Sequence, residues 1–241
     1  MGAMTNMRTR REPPKFRRVE VGEVERLGPR LVRVALTGPE LDGFEVDLPA
    51  ASVRLLLPSP GTTDLVMPAW NGNEFLLPDG RRPTIRTFTP MRTPQGLDLW
   101  IVDHGTGAAS TWAANAKPGD PAAVSGPGRG YVIDPDAPAF LLAGDETAAA
   151  AIAQLRDAIP DHTPVDVHIT DDLLDAVRNA DIAPDTRVWV AGEAAEVQAV
   201  RRHLFDERGV PRSHTSVRGY WKRGRSGDAG DVGDAASDPP E

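Results

Sequence analysis

AFLLAGDETAAAAIAQLRDAIP, residues 139–160, decides the fold. AFLLAGD has the length and apolar content of a strand, and the alanine-rich stretch after it reads as a helix stopped by Pro160. The unit then repeats. VDVHIT is a strand and DLLDAVRNA a helix; TRVWVAGE is a strand and AAEVQAVRRHLFDERG a helix that Gly209 is placed to cap; HTSVRGYWK reads as a closing strand. Strand–helix alternation predicts a parallel sheet covered by helices.

Upstream of Pro138 the period is different. RRVEVGEVERL and PRLVRVALTG alternate apolar with polar residues about a turn at Leu27-Gly28-Pro29-Arg30, and ASVRLLLP, TIRTFTP and LDLWIVDH follow as short segments punctuated by proline or glycine. Short strands in series without helices predict a closed antiparallel barrel or a sandwich. Residues 61–82, rich in proline, glycine and asparagine, read as a loop bordering it. GTGAASTWAANAKPGD reads as a glycine turn, a short helix and a stop at Lys117-Pro118-Gly119, after which VSGPGRGYVI returns to extended chain. The fold class is therefore β followed by α/β, with the boundary at Asp134–Pro138: a β domain over 17–134 and an α/β domain over 138–225.

Composition narrows the function classes. Hydrophobic residues make up 40% of the 241, enough for a real core, and the absence of cysteine excludes disulfides, thiol nucleophiles and protein-ligated iron–sulfur clusters. No apolar window approaches the roughly 20 residues of a membrane span, and the N-terminus lacks a signal-peptide hydrophobic region. The expectation is a soluble, cytoplasmic protein without stable membrane insertion. Met1 to Ala3 read as a cloning remnant, 1–16 as a flexible basic arm, and 226–241, with five acids and no base, as a disordered acidic tail. A net charge of −8 argues against nucleic acid as a partner. Two segments are basic all the same. Arg8 to Arg18 hold six arginines and lysines against Glu12, and Arg201 to Arg225 hold eight against Asp206 and Glu207. The second run surrounds Tyr220 and Trp221 and is a candidate anion site.

The first strand–helix turn of the α/β half is where a dinucleotide fold would place GxGxxG. Here it is Ala143-Gly144-Asp145-Glu146-Thr147. Two carboxylates suit a helix N-terminus but repel phosphate, so Asp145 reads as a helix cap. HGTGAAST is the better phosphate cradle: Gly105 and Gly107 free the backbone, and Ser110 and Thr111 add hydroxyls at the start of the next helix. Gly126-Pro127-Gly128-Arg129-Gly130 reads as a tight turn that needs no ligand. The histidines at 104, 162, 168, 203 and 214 form no HxxxH or HExxH pair, so no protein-held metal is expected, and there is no GxSxG nucleophile.

Three sets of segments together resemble the siderophore-interacting protein family, flavoproteins related to the ferredoxin–NADP reductases. They are Arg86-Thr87-Phe88-Thr89; VDHGTGAASTWAANAKPGD; and LLAGDETA with VWVAGEAAEVQAVRRHL and GYWKRG. The resemblance runs from about Arg17 to Arg225 and implies an FAD-binding β-barrel before a reductase-like α/β domain. It implies that Arg86, Thr87, Phe88 and Thr89 contact the flavin and its phosphates. His104, Gly105, Gly107, Ala109, Ser110 and Thr111 would border the ribityl chain and pyrophosphate, and Asp145, Glu146 and Thr147 would lie near the flavin. The chain departs from the family pattern in having Phe88 where tyrosine is commoner, Ala108 for a frequent proline, Lys222 for arginine and a shorter stretch from Thr170 to Arg187.

The implied activity is reduction of a ferric siderophore. One electron turns Fe(III) into a larger, softer ion that hard oxygen donors hold less well. The chemistry rests on FAD, so no catalytic amino acid is expected, and NAD(P)H or reduced ferredoxin is the electron donor. Arg202, Arg218, Lys222 and Arg223 are the expected contacts to an anionic siderophore, with Trp221 either stacked on an aromatic chelator or buried as structure. A flavin- and siderophore-binding module without turnover, and a general flavin or ferric reductase, are the alternatives.

Overall fold

The computed structural model describes residues 13–224. Most of the basic arm expected at 1–16, and all of the acidic tail expected at 226–241, lie outside the described residues. The described end of the arm is held down: Ser125 Oγ donates to the Pro14 carbonyl, and Phe16 meets Phe75 edge-on with ring centroids 5.1 Å apart.

The first half contains β1 (Arg17–Arg26), β2 (Leu31–Thr37), β3 (Val53–Leu57), β4 (Ala69–Trp70), β5 (Phe75–Leu76), β6 (Thr84–Phe88), β7 (Pro90–Thr93), β8 (Gly96–Val102), α1 (Ala108–Asn115) and β9 (Pro121–Ser125). Apolar alternation puts Val32, Val34 and Leu36 of β2 on one face, where they pack with Leu55, Leu97, Leu99 and Ile101. Seven strands pair antiparallel in the order β6-β3-β9-β1-β2-β8-β7. β6 and β7 are thus the two outer edges, yet Thr89 alone separates them along the chain. Edges tied together by one residue require the sheet to roll on itself, so of the two expected architectures the barrel is the one approached, as a half-barrel whose edges β6 and β7 meet at Thr89 without a ladder between them.

Two expectations change here. TIRTFTP does not end at its proline. Pro90 opens β7, opposite Leu99, a place where proline is tolerated because β7 is an edge strand and Pro90 is its first residue. The stretch 61–82 is not all loop, since β4 and β5 pair as a small hairpin; strands this short leave no alternation to read.

The second half contains β10 (Phe140–Gly144), α2 (Ala149–Ala158), β11 (Val165–Ile169), α3 (Leu173–Asn179), β12 (Arg187–Glu193), α4 (Ala194–Arg202) and β13 (Thr215–Trp221). The four strands are parallel in the order β11-β10-β12-β13. β10 is buried along its whole length because helices cover both faces. Phe140 and Leu142 face Ile152 and Leu155 of α2; Leu141 and Ala143 face Leu173, Val177, Val197 and Val200 of α3 and α4. Each of the Phe, Leu, Ile and Val side chains contributes roughly 1.5–3 kcal/mol by leaving water. The last helix is α-helical only through Arg202, and His203–Glu207 then form a wider π-type turn. Gly209, at φ 66°, caps it while the Val210 amide donates to the Leu204 carbonyl at 2.9 Å.

The two halves interlock. Ala50, left-handed at φ 53°, is buried within the α/β core beside Ala137, Phe140 and Trp189. Arg187 of β12 pairs with Asp134 at 2.5 Å, which holds that carboxyl below its ordinary range together with the Asp136 amide.

Candidate functional site

Rolling the first sheet and docking the second leaves one large cleft between them, about 1180 Å³ in volume. The barrel wall is β6 and its exit. Arg86, Thr87, Phe88 and Thr89 all border the cleft. Phe88 is half-buried: it packs on the barrel core and still borders the cleft. Arg86 is oriented by a hydrogen bond from its guanidinium to the Ile85 carbonyl at 2.6 Å. Thr89 is buried and hydrogen-bonds the phenol of Tyr220, whose own burial pushes its pKa above the ordinary phenol value.

The second wall is the turn after β8 and the start of α1. His104, Gly107, Ala109 and Ser110 border the cleft; Gly105 and Thr111 do not. Gly105 and Gly107 take φ 77° and 84°, a backbone that turns sharply and that a β-carbon would disfavour. The first turn of α1 has no side-chain cap and no acidic residue, so its leading amides lack intrahelical partners. Ser110 departs from expectation. Its hydroxyl donates to Asp103 Oδ1 at 2.8 Å, and the same oxygen accepts the Gly105 amide at 3.1 Å. The Ser110 hydroxyl, the Gly105 amide and the Arg26 guanidinium hold the Asp103 carboxyl below its ordinary range. Asp103, just upstream of the loop, thus takes the hydroxyl and amide that the sequence assigned to a ligand.

The third wall is the crest of the parallel sheet. Asp145, Glu146 and Thr147 border the cleft. Asp145 caps the turn, its Oδ1 accepting the Thr147 amide at 2.9 Å. Its Oδ2 accepts the Glu193 amide at 2.9 Å and the Trp221 indole N–H at 2.7 Å. Trp221 is therefore fixed by a hydrogen bond while it borders the cleft. Glu146 meets Arg30 across the domains at 2.7 Å. Glu193, to which sequence reading gave no role, accepts the amides of Ala195 (2.6 Å), Glu196 (3.1 Å) and Arg223 (3.0 Å). Burial opposes its charge, but those amides and the Arg223 charge outweigh burial and hold its carboxyl below the ordinary range.

Arg218, Lys222 and Arg223 line the cleft with Trp221, whereas Arg202 does not; its neighbour Arg201 does, with its guanidinium on the Val217 carbonyl at 3.0 Å. On a helix adjacent residues point about 100° apart, and sequence alone did not say which arginine faced the strand. Arg129 and Tyr131 also line the cleft and were missed. The signal was the arginine inside Gly126-Pro127-Gly128-Arg129-Gly130. Its last glycine is required by packing, since a β-carbon on Gly130 would lie 2.4 Å from Leu48 Cβ. Among the described residues no cluster of His, Cys, Asp and Glu could hold a metal ion, and no helix is long and apolar enough to cross a membrane.

Residues 20–131 match the family described as Siderophore-interacting FAD-binding domain, and residues 168–224 match Siderophore-interacting protein. The chain belongs to the siderophore-interacting protein family. A siderophore utilization protein from T. fusca, of known crystal structure, is 31% identical, with 89% of this chain and 95% of that one covered at a TM-score of 0.76. The ferric vibriobactin reductase ViuB of Vibrio cholerae is 26% identical over 86% of this chain and 94% of its own length. A ferredoxin NADP+ reductase from Neisseria gonorrhoeae, solved with FAD and NADP, is similar in fold alone, with a TM-score of 0.56 at 14% identity, 80% of this chain and 91% of that one being covered. The siderophore-interacting family thus supplies a reason for a barrel, a parallel sheet and a cleft between them in one chain.

Proposed function

We propose that this protein is an FAD-dependent oxidoreductase that reduces the iron of a ferric siderophore in the cytoplasm, releasing Fe(II). One observation carries the reading: among the helical turns that open on the cleft, α1 begins with neither a side-chain cap nor an acid in its first turn, while the turns after β10 and β12 are capped by Asp145 and Glu193. A dinucleotide pyrophosphate fits the uncapped turn and is repelled by the carboxylate-capped ones. The residues beside the uncapped turn suit the rest of FAD. Phe88 offers an aromatic face, Arg86 a planar cationic fork, and Gly107 a backbone that admits close approach. When bound, FAD supplies two-electron uptake and one-electron release, which Fe(III) reduction needs.

The chain's own residues bind and orient. Thr89 and Tyr220 hold the barrel wall to the sheet crest, and Asp145 sets the plane of Trp221. Arg218, Lys222 and Arg223, joined by Arg129, make the far lip cationic, which favours an anionic ferric siderophore. Fe(II) is then held less well by hard oxygen donors and leaves. The electron donor is NAD(P)H or a reduced ferredoxin. The resemblance to a ferric vibriobactin reductase supports the reaction class.

The test is direct. The purified protein is examined for bound-flavin absorbance, then mixed anaerobically with NADH, NADPH or reduced ferredoxin, a ferric siderophore and an Fe(II) indicator. A yellow protein that develops Fe(II) colour with at least one donor supports the reading; a colourless protein that takes up no flavin refutes it.

A further inference from the structure

Asp145 and Glu193 stand at the carboxyl ends of β10 and β12, which are adjacent and parallel. In open α/β sheets this edge is where helix N-termini receive a ligand's phosphates. In this protein both turns are filled from within. Asp145 accepts the amide and the hydroxyl of Thr147 on Oδ1, and the Glu193 amide and Trp221 indole on Oδ2. Glu193 accepts the amides of Ala195 and Glu196 on Oε2, the bonds a phosphate oxygen would otherwise make at the start of α4. Its other oxygen takes the Arg223 amide.

Backbone geometry fits the same purpose. Gly192 has φ 156°, and a β-carbon there would lie 2.7 Å from Asp145 Oδ2. The glycine makes room for the protein's own carboxylate. The turns after β10 and β11 add Glu146 and Asp171 to the cleft lining, both facing Arg30.

We propose that Asp145 and Glu193 are positioning residues that stand in for a ligand's phosphates, denying the crest a tightly held pyrophosphate, so that NAD(P)H, where it is the donor, reacts without being held by its phosphates here, and anchoring the cationic lip at Trp221 and Arg223. The amide donors that hold a dinucleotide in a nucleotide-binding sheet here hold carboxylates, and those carboxylates also accept N–H groups from residues 221 and 223. Lys222 lies between these anchors. Electrons therefore reach the cleft from a donor that needs no pyrophosphate cradle on this sheet. The lip's role in binding an anion rests on the proposed siderophore function; the closure to pyrophosphate does not.

The experiment has two arms, both on the flavin-loaded protein. In the first, calorimetric titration with ADP-ribose, which carries the pyrophosphate without the nicotinamide, is expected to show no saturable binding below about 1 mM. Saturation at micromolar concentration overturns the proposal. In the second, Glu193→Gln and Trp221→Phe are compared with the unaltered protein for an anionic and a neutral ferric chelate. Trp221→Phe deletes only the indole donor and keeps a ring. Affinity for the anionic chelate should fall about tenfold or more, the size of one charge-assisted hydrogen bond, with the neutral chelate unaffected. Unchanged anion affinity in both folded variants, or equal loss for both chelates, overturns the positioning role. If the unaltered protein binds no ferric chelate at all, the siderophore reading fails and the ADP-ribose titration alone decides the closure.

Discussion

The side-chain amide of Gln154, on α2, donates to the carbonyl of Pro90 at 2.7 Å, and its oxygen accepts the Ala50 amide at 2.9 Å. One residue of the α/β half thus grips the barrel seam and the left-handed Ala50 together. The Tyr220 hydrogen bond to Thr89 grips the same seam one residue earlier. The cleft wall that carries Phe88 and Thr89 is accordingly set by the second domain as much as by its own sheet.

Gln154→Leu removes both bonds and leaves the buried Ala50 amide unsatisfied, which costs about 1–3 kcal/mol. Thermal denaturation should show a melting temperature lower by several degrees. Flavin affinity should fall with it, because the seam is released. A variant that melts with the unaltered protein would show that the grip contributes nothing.

Gly192→Ala places a β-carbon against Asp145 Oδ2 and forces an L side chain to φ 156°. The backbone strain alone costs about 1–3 kcal/mol, and displacement of the carboxylate adds to it. Trp221 should become more mobile in the same variant, with a measurable change in its fluorescence; a stable variant with unchanged tryptophan emission would contradict the packing.

The strands, the helices and their order were legible because apolar period separates an alternating barrel strand such as β2 from a continuously buried one such as β10. The β7 strand was not, since a proline at its first position looks like a terminator until its partner Leu99 is known. At the site, short glycine-containing motifs were legible as local turns. What was hidden depends on pairing at a distance: Asp103 folding back on Ser110, Glu193 reaching Arg223, and Arg201 rather than Arg202 facing β13. Each is a fact of three-dimensional register that no local spacing records.

Acid should weaken this protein in part through Glu193. Its carboxyl is held below the ordinary range in the folded chain, so its contribution is complete above the unfolded value of about 4.3 and is lost as pH falls through the lowered folded value. Urea midpoints measured from neutral pH downward should therefore drop more steeply for the unaltered protein than for Glu193→Gln. The gap between the two should narrow on acidification. Parallel curves would remove Glu193 from the acid limb.

Phe88→Ala tests the aromatic wall. Loss of a stacking face is worth about 0.5–1.5 kcal/mol beyond its area, so FAD affinity measured by fluorescence titration should fall about tenfold. Phe88→Tyr should retain it, since the ring is kept. Because Phe88 also packs on the barrel core, Phe88→Leu serves as a control that fills volume without a flat π face; it should be stable and still bind FAD poorly.

The lip makes the sharpest distinction among functional readings. Lys222 and Arg223 are exposed and border the cleft with Arg218 and Trp221, so neutralising them should leave folding intact while lowering the local positive potential. For the double variant Lys222→Gln, Arg223→Gln, reduction of an anionic ferric siderophore should show a raised KM, with kcat little changed. Reduction of a small neutral ferric chelate should be unaffected. Added salt should weaken the unaltered protein's siderophore binding and have less effect on the variant, because exposed charges act through a field that ions screen over about 8–10 Å. Equal loss on both substrates would mean that the lip supports the flavin site and not the siderophore, and a general ferric reductase would then be the better account of the cleft.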